Sequence, residues 1–157
     1  MKIVVDTNII FSALVNTDGS IGDLLFNSEP FFRFYSCSYM RYEIEKHWGK
    51  LLRASNLSDA ELKESQYRLF KKISFLDEEL IPPETWLLAK NVVSDIDIND
   101  IDFVATSEFL NGTLWTGDKE LYNGLRKKGF FNVMNTRELL SIREKERSDK
   151  NDSLTHI

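Results

Sequence analysis

The opening residues, "MKIVVD", constrain the fold most. A short apolar, β-branched run stops at Asp6, and a helical pattern, "IIFSALV", follows almost at once. Such a run reads as a buried strand whose chain turns into a helix at its carboxyl end. The pattern returns late in the chain. "GTLWTGD" is a strand that stops at Asp118, and "KELYNGLRKKG" is a short helix closed by Gly129, a residue suited to the position just past a helix. "FFRFYSCS" and "FFNVMN" read as two further strands. Four strands alternating with helices predict an α/β fold, a three-layer sandwich with a central, mainly parallel sheet. Ligands of such sheets bind beyond the carboxyl ends of the strands. Asp6 and Asp118 both stand at such ends and are expected on one edge of the fold.

The remaining helices follow from their signals. Residues 21–28 resume a helical pattern after the break at "NTDGS". Ser38 is placed to cap one helix running through "YMRYEIEKHWGKLLRAS". Ser58 and Glu61 form a capping-box pattern that opens another, to about Lys72. A helix from about Glu84 to Val93 follows the Pro82–Pro83 pair, "IDFVATSEFL" is a largely buried helix, and "TRELLSIREKER" is the last. Residues 1–147 are expected to form a single domain, with residues 148–157 as a flexible tail.

Composition narrows the class. Apolar residues make up 42% and charged residues 29%, which predicts a folded chain with a real core. No apolar run approaches the roughly 20 residues of a membrane span, and Asp6 interrupts the N-terminal run too early for a signal peptide. Cys37 is the only cysteine, so no internal disulfide can form and a reducing, cytoplasmic setting is expected. His47 and His156 have no company suited to zinc. The net charge of −5 argues at first against a nucleic-acid partner, but its distribution is uneven. Residues 73–118 carry one lysine against ten acids, whereas residues 41–72 carry eight Lys/Arg against five acids, and residues 119–147 eight against four. If the acidic stretch binds divalent cations, the flanking basic faces are free to meet phosphates. Ordinary solvated helix faces explain the same counts.

The acidic stretch centres on "SDIDINDIDF". Asp95, Asp97 and Asn99 match the first ligands of a calcium loop, which then needs Gly at position six and Glu at position twelve. Those positions hold Asp100 and Thr106, so the match fails. Alternation breaks at Asn99–Asp100, which argues against a strand. Asp97 or Asn99 can cap the following helix, with Asp100 in its first turn, where the helix dipole favours an acid. Capping accounts for one or two acids but not for Asp6 and Asp118. Carboxylates converging in one crevice repel one another and raise one another's pKa, and cations relieve this. All-oxygen ligands suit Mg²⁺ or Mn²⁺. At a phosphodiester such ions activate water and polarise the phosphoryl oxygens.

In order along the chain, "VVDTNII", "YEIEKH", "DINDIDFVATSEF" and "LWTGDKEL" resemble a PIN domain of the small single-domain prokaryotic type that includes VapC-like toxins. The resemblance covers roughly residues 1–140. "DTN" and "TGD", about 110 residues apart, are its most specific parts. It implies a divalent-metal-dependent endoribonuclease hydrolysing RNA phosphodiesters, with the toxin of a toxin–antitoxin pair as one setting. Its partners would be RNA, an antitoxin protein and a second copy of the chain. Carried over by position, Asp6, Glu43, Asp100 and Asp118 are the catalytic, metal-binding acids, and Asp97 is an extra one. Asn8 would hold Asp6 in place, and Thr116 would do similar supporting work. The sequence departs from the pattern at Asn99, where many relatives carry a second adjacent acid. Glu45 rivals Glu43 on another face of the same helix.

Plainer readings stand beside these. Asn8 is also a candidate helix cap and Thr116 an ordinary strand residue. Trp115 and Phe103 suit a core, and Trp48 and Trp86 suit packing, or stacking on bases. The alternative function is a non-catalytic PIN-fold module that binds RNA or protein. A phosphoryl-transfer protein also places acids at strand ends, but the phosphatase type wants Asp-x-Asp where this chain has Asn8.

Overall fold

The structure is a computed structural model and describes residues 1–156. Among these, five parallel strands form one sheet: β1 (Lys2–Val5), β2 (Arg33–Cys37), β3 (Ile73–Leu76), β4 (Thr113–Trp115) and β5 (Val133–Met134), in the spatial order β3-β2-β1-β4-β5. The chain builds outward from β1 to β3, crosses back, and builds the other way through β4 to β5. Strand order therefore reverses between β1 and β4, and a crevice opens beyond their carboxyl ends.

Right-handed crossovers decide where the helices go. On the way out to β3 the chain lays down α1 (Thr7–Val15), α2 (Ser20–Asn27), α3 (Ser38–Lys46), α4 (Trp48–Ser55) and α5 (Asp59–Phe70) on one face, and α1 packs against α2 to α5. After the direction reverses, α6 (Pro83–Val93), α7 (Ile101–Leu110) and α8 (Lys119–Lys127) fall on the other face. There α7 lies on β1, β2 and β4 beneath α6. The last helix, α9 (Thr136–Thr155), returns to pack on α2. The α/β sandwich expected from the sequence is thus observed, with an all-parallel sheet. Ile3, Val4, Val5, Leu114 and Trp115 are fully buried at its centre between Ile9, Ile10, Met40 and Ile44 and, opposite, Phe103, Val104 and Ala105.

Three expectations need correction. β3 was not among the predicted strands. It is an edge strand paired only with β2, so its side chains are less buried than those of the central strands, and "ISFL" is too short to show a period. The helix predicted from Ser38 is two helices that break at His47, where the backbone leaves helical geometry. The break re-aims α4, burying Leu51 and letting the Trp48 indole N–H donate to Asp59. Ser38 is inside α3 rather than its cap. Finally, α9 continues to Thr155 where a tail was predicted from residue 148, because no Gly or Pro stops it; its side chains from Ser148 on are exposed. Ile157 lies outside the described residues.

Arg143 clasps α9 to the first face. Its side chain is 4% exposed, pairs with Asp23, and donates to the Asp23 carbonyl and the Ser28 hydroxyl. Arg143→Ala is expected to cost about 2 kcal/mol through lost packing and an emptied hydrogen-bond socket. Urea unfolding measures it, and a midpoint unchanged from wild type would contradict the clasp.

Candidate active site

Two carboxylates follow directly from the strand ends. Asp6 leaves β1 as the N-cap of α1 and accepts the Ile9 N–H at 3.0 Å. Asp118, two residues beyond the Thr116 that follows β4, caps α8 and accepts the Glu120 and Leu121 N–H groups at 2.9 and 3.2 Å. The register aligns Val5 with Trp115, so Asp6 comes level with Thr116. The Thr116 hydroxyl is close enough to stabilise the charged Asp6, and its oxygen accepts the Asp118 N–H at 3.1 Å. One buried threonine therefore ties the two acids together. Asp6 is only 3% exposed, and burial, reinforced by the charge on Asp118, pushes its carboxyl up to about 6.

Glu43 comes from α3. It is half-buried, and the Thr7 hydroxyl donates to its Oε1 at 2.6 Å. Glu45 points elsewhere: it is exposed and lines a groove with Arg41, Trp48 and Lys63. Of the two rival acids, Glu43 is the one bonded to the residue that follows Asp6. Asp100 closes a 3₁₀ turn (Ile98–Asp100) at the head of α7. Its carboxyl is pushed up to about 7 by burial first, then by the charges of Asp97, Asp6, Asp118 and Glu43. Asp100 is thus within electrostatic reach of all four other acids predicted for the site.

The cluster "SDIDINDIDF" divides by role. Asp97 caps the 3₁₀ turn through the Asn99 N–H at 3.0 Å, leaving its exposed carboxylate beside Asp100. Asp95 is turned away in an ion pair with Lys128. Asp102, not among the predicted site acids, is half-buried; burial raises its pKa, with Glu78 and Glu43 adding to the effect. Of the two caps expected, Asp97 is the one used: it caps the 3₁₀ turn that contains Asp100, and Asp100, without a side-chain capping bond, precedes α7 itself.

Asn8 differs from its predicted role. Its side chain is exposed, and its backbone N–H, not its amide, supports the charged Asp6. Asp6 also takes the capping position considered for Asn8. The residue that expectation passed over is Thr7, which sits in the same "DTN" motif and whose bond to Glu43 links α1 to α3.

The donor set suits a hard divalent cation, since Asp6, Glu43, Asp97, Asp100 and Asp118 offer only oxygen and two of them hold their protons abnormally well. Among the described residues no three His, Cys, Asp or Glu side chains stand close enough to form a finished cage. The two observations are compatible because Coulomb repulsion acts over several ångströms beyond a ligation shell and itself spreads like charges.

A family model described as "PIN domain" matches residues 4–144. No curated protein matches the chain. Among solved structures, the chain is similar to PAE2754 from Pyrobaculum aerophilum, with a TM-score of 0.64, 15% identity, and coverage of 92% of this chain and 90% of that one. It is similar to VapBC2 from Rickettsia felis, a complex bound to a DNA fragment from its promoter, with a TM-score of 0.61, 15% identity, and coverage of 86% and 98%. It is also similar to VapBC-1 from nontypeable Haemophilus influenzae, with a TM-score of 0.59, 18% identity, and coverage of 87% and 99%. At these identities the likeness concerns the fold. Among the described residues no single helix is long and apolar enough to cross a membrane.

Proposed function

The chain belongs to the PIN domain family, and on that premise we propose that it is a divalent-metal-dependent endoribonuclease working at the crevice beyond β1 and β4. The observation that carries the reading is the electrostatic convergence of Asp6, Asp97, Asp118 and Glu43 on Asp100. A cluster of like charges in a half-buried crevice is costly for a merely structural site and useful for holding cations.

Asp6, Glu43, Asp100 and Asp118 would hold Mg²⁺ or Mn²⁺, with Asp97 at the rim. When bound, such an ion supplies charge neutralisation at the phosphoryl oxygens and a more acidic water. The chain's own residues do the positioning. Thr116 fixes Asp6 relative to Asp118, and Thr7 fixes the Glu43 carboxylate. The N-cap bonds of Asp6 and Asp118 hold both carboxylates against rotation.

The motif resemblance to VapC-like toxins and the two VapBC neighbours support an antitoxin as partner. Purified protein incubated with a mixed RNA pool is expected to cleave it in Mg²⁺ or Mn²⁺ and not in EDTA, and to lose cleavage on Asp6→Asn or Asp118→Asn. No cleavage of any pool by the folded protein would replace the nuclease with a binding module.

A further inference from the structure

A cavity of about 310 Å³ opens beside the acids, on the β5 side of the crevice. Thr116 and Asp118 form the wall it shares with the candidate site, and Lys119, Tyr122, Thr136 and Arg137 line the rest. Lys119 is the first residue of α8 and Arg137 the second of α9, so the first turns of two helices bring two cations to one hollow. Both side chains are exposed, and among the described residues neither forms an ion pair.

The other walls are held in place. Fully buried Trp115 donates its indole N–H to the Thr136 hydroxyl oxygen at 3.1 Å, which leaves the Thr136 hydrogen available to an acceptor. The Tyr122 hydroxyl is close enough to Glu138 for that carboxylate to raise its pKa, and the Arg126 guanidinium lies 4.8 Å from the Tyr122 ring centre. Glu138 is itself fixed by its capping box with Asn135. A polyanion approaching five acids needs positive charge next to them, and this hollow supplies it.

We propose that the cavity is a subsite for the nucleotide next to the phosphodiester that is cut. Lys119, Arg137 and the Thr136 hydroxyl take the neighbouring phosphate, and the Tyr122 ring forms the wall against which that nucleotide packs. The inference rests on the ribonuclease reading and adds to it where the substrate strand runs: from the acids toward β5 and the start of α9.

The test measures binding of a single-stranded RNA 12-mer in EDTA, across a salt series, to full-length Asp6→Asn protein. The same protein carrying Lys119→Gln with Arg137→Gln is compared with one carrying Lys145→Gln with Lys150→Gln, which removes equal charge from the exposed far part of α9. The first pair is expected to weaken binding at least tenfold and to flatten the plot of log affinity against log salt by about 0.7, the value for one single-strand phosphate. The second pair should change affinity less than twofold. In protein that keeps Asp6, the loss from the first pair should fall mainly on KM. Equal losses from both pairs, or binding by the first pair within twofold of its parent, would overturn the subsite while leaving the nuclease standing. RNA neither bound by the parent nor cut by the wild type would overturn both.

Discussion

Asp100→Asn is expected to cut metal-dependent RNA cleavage about a thousandfold, ~4 kcal/mol of barrier, while making the metal-free protein more stable at pH 8. The two effects have one cause. Asp100 is half-buried and receives the repulsion of Asp97, Asp6, Asp118 and Glu43. Asparagine keeps its shape and removes its charge, so the metal-free fold loses a repulsive interaction and the proposed metal centre loses a ligand. A structural acid would behave in the opposite way, since removing it would destabilise the fold. The check is a pair of measurements on one preparation: cleavage rate in Mn²⁺ and melting temperature in EDTA. Cleavage within tenfold of wild type, or a lower melting temperature, would show that Asp100 is not a member of the metal centre.

The second large effect is on stability against pH. Asp6 holds its proton to about 6 and Asp100 to about 7 in the fold, against 3.8 for an ordinary aspartate. Folded pKa values raised in this way favour the protonated, folded protein. The contribution is complete below the unfolded value near 4 and disappears as pH rises through 6 to 7. For Asp6, almost wholly buried, the shift corresponds to about 3 kcal/mol. The metal-free protein should therefore melt about 5–10 °C lower at pH 8 than at pH 5. Mn²⁺ should restore the loss at pH 8 and do little at pH 5, where protons compete for the same oxygens. A metal-free melting temperature that rises from pH 5 to pH 8 would contradict the assignment.

Much of this arrangement was legible in the sequence because strand ends are marked chemically. "KIVVD" and "LWTGD" each stop an apolar run with an acid that then caps a helix, and the reversal of strand order places both at one crevice. Glu43 and Asp100 needed the order of motifs, because a lone acid on a helix, or one in an aspartate-rich turn, has a plainer explanation. Thr7 escaped notice because its partner lies 36 residues away, on a helix whose orientation the local pattern does not determine. β3 escaped because an edge strand is half solvated and carries little hydrophobic signal. The break at His47 is a tertiary choice: the local sequence is helical on both sides, and burial of Leu51 and Trp48 decides the turn. The cavity at Lys119 and Arg137 joins two segments 18 residues apart, and only the pairing of β4 with β5 reveals it.

Cation binding by the converging carboxylates is measured by electron paramagnetic resonance of Mn²⁺ titrated into wild-type, Asp6→Asn and Asp118→Asn protein. Wild type is expected to remove Mn²⁺ from the free-ion signal at micromolar concentration. Either substitution should weaken this uptake at least tenfold, about 1.4 kcal/mol or more, with the variants still folded. Uptake equal in all three proteins, or no uptake by wild type at millimolar Mn²⁺, would contradict that binding and leave the converging carboxylates without a cation to hold.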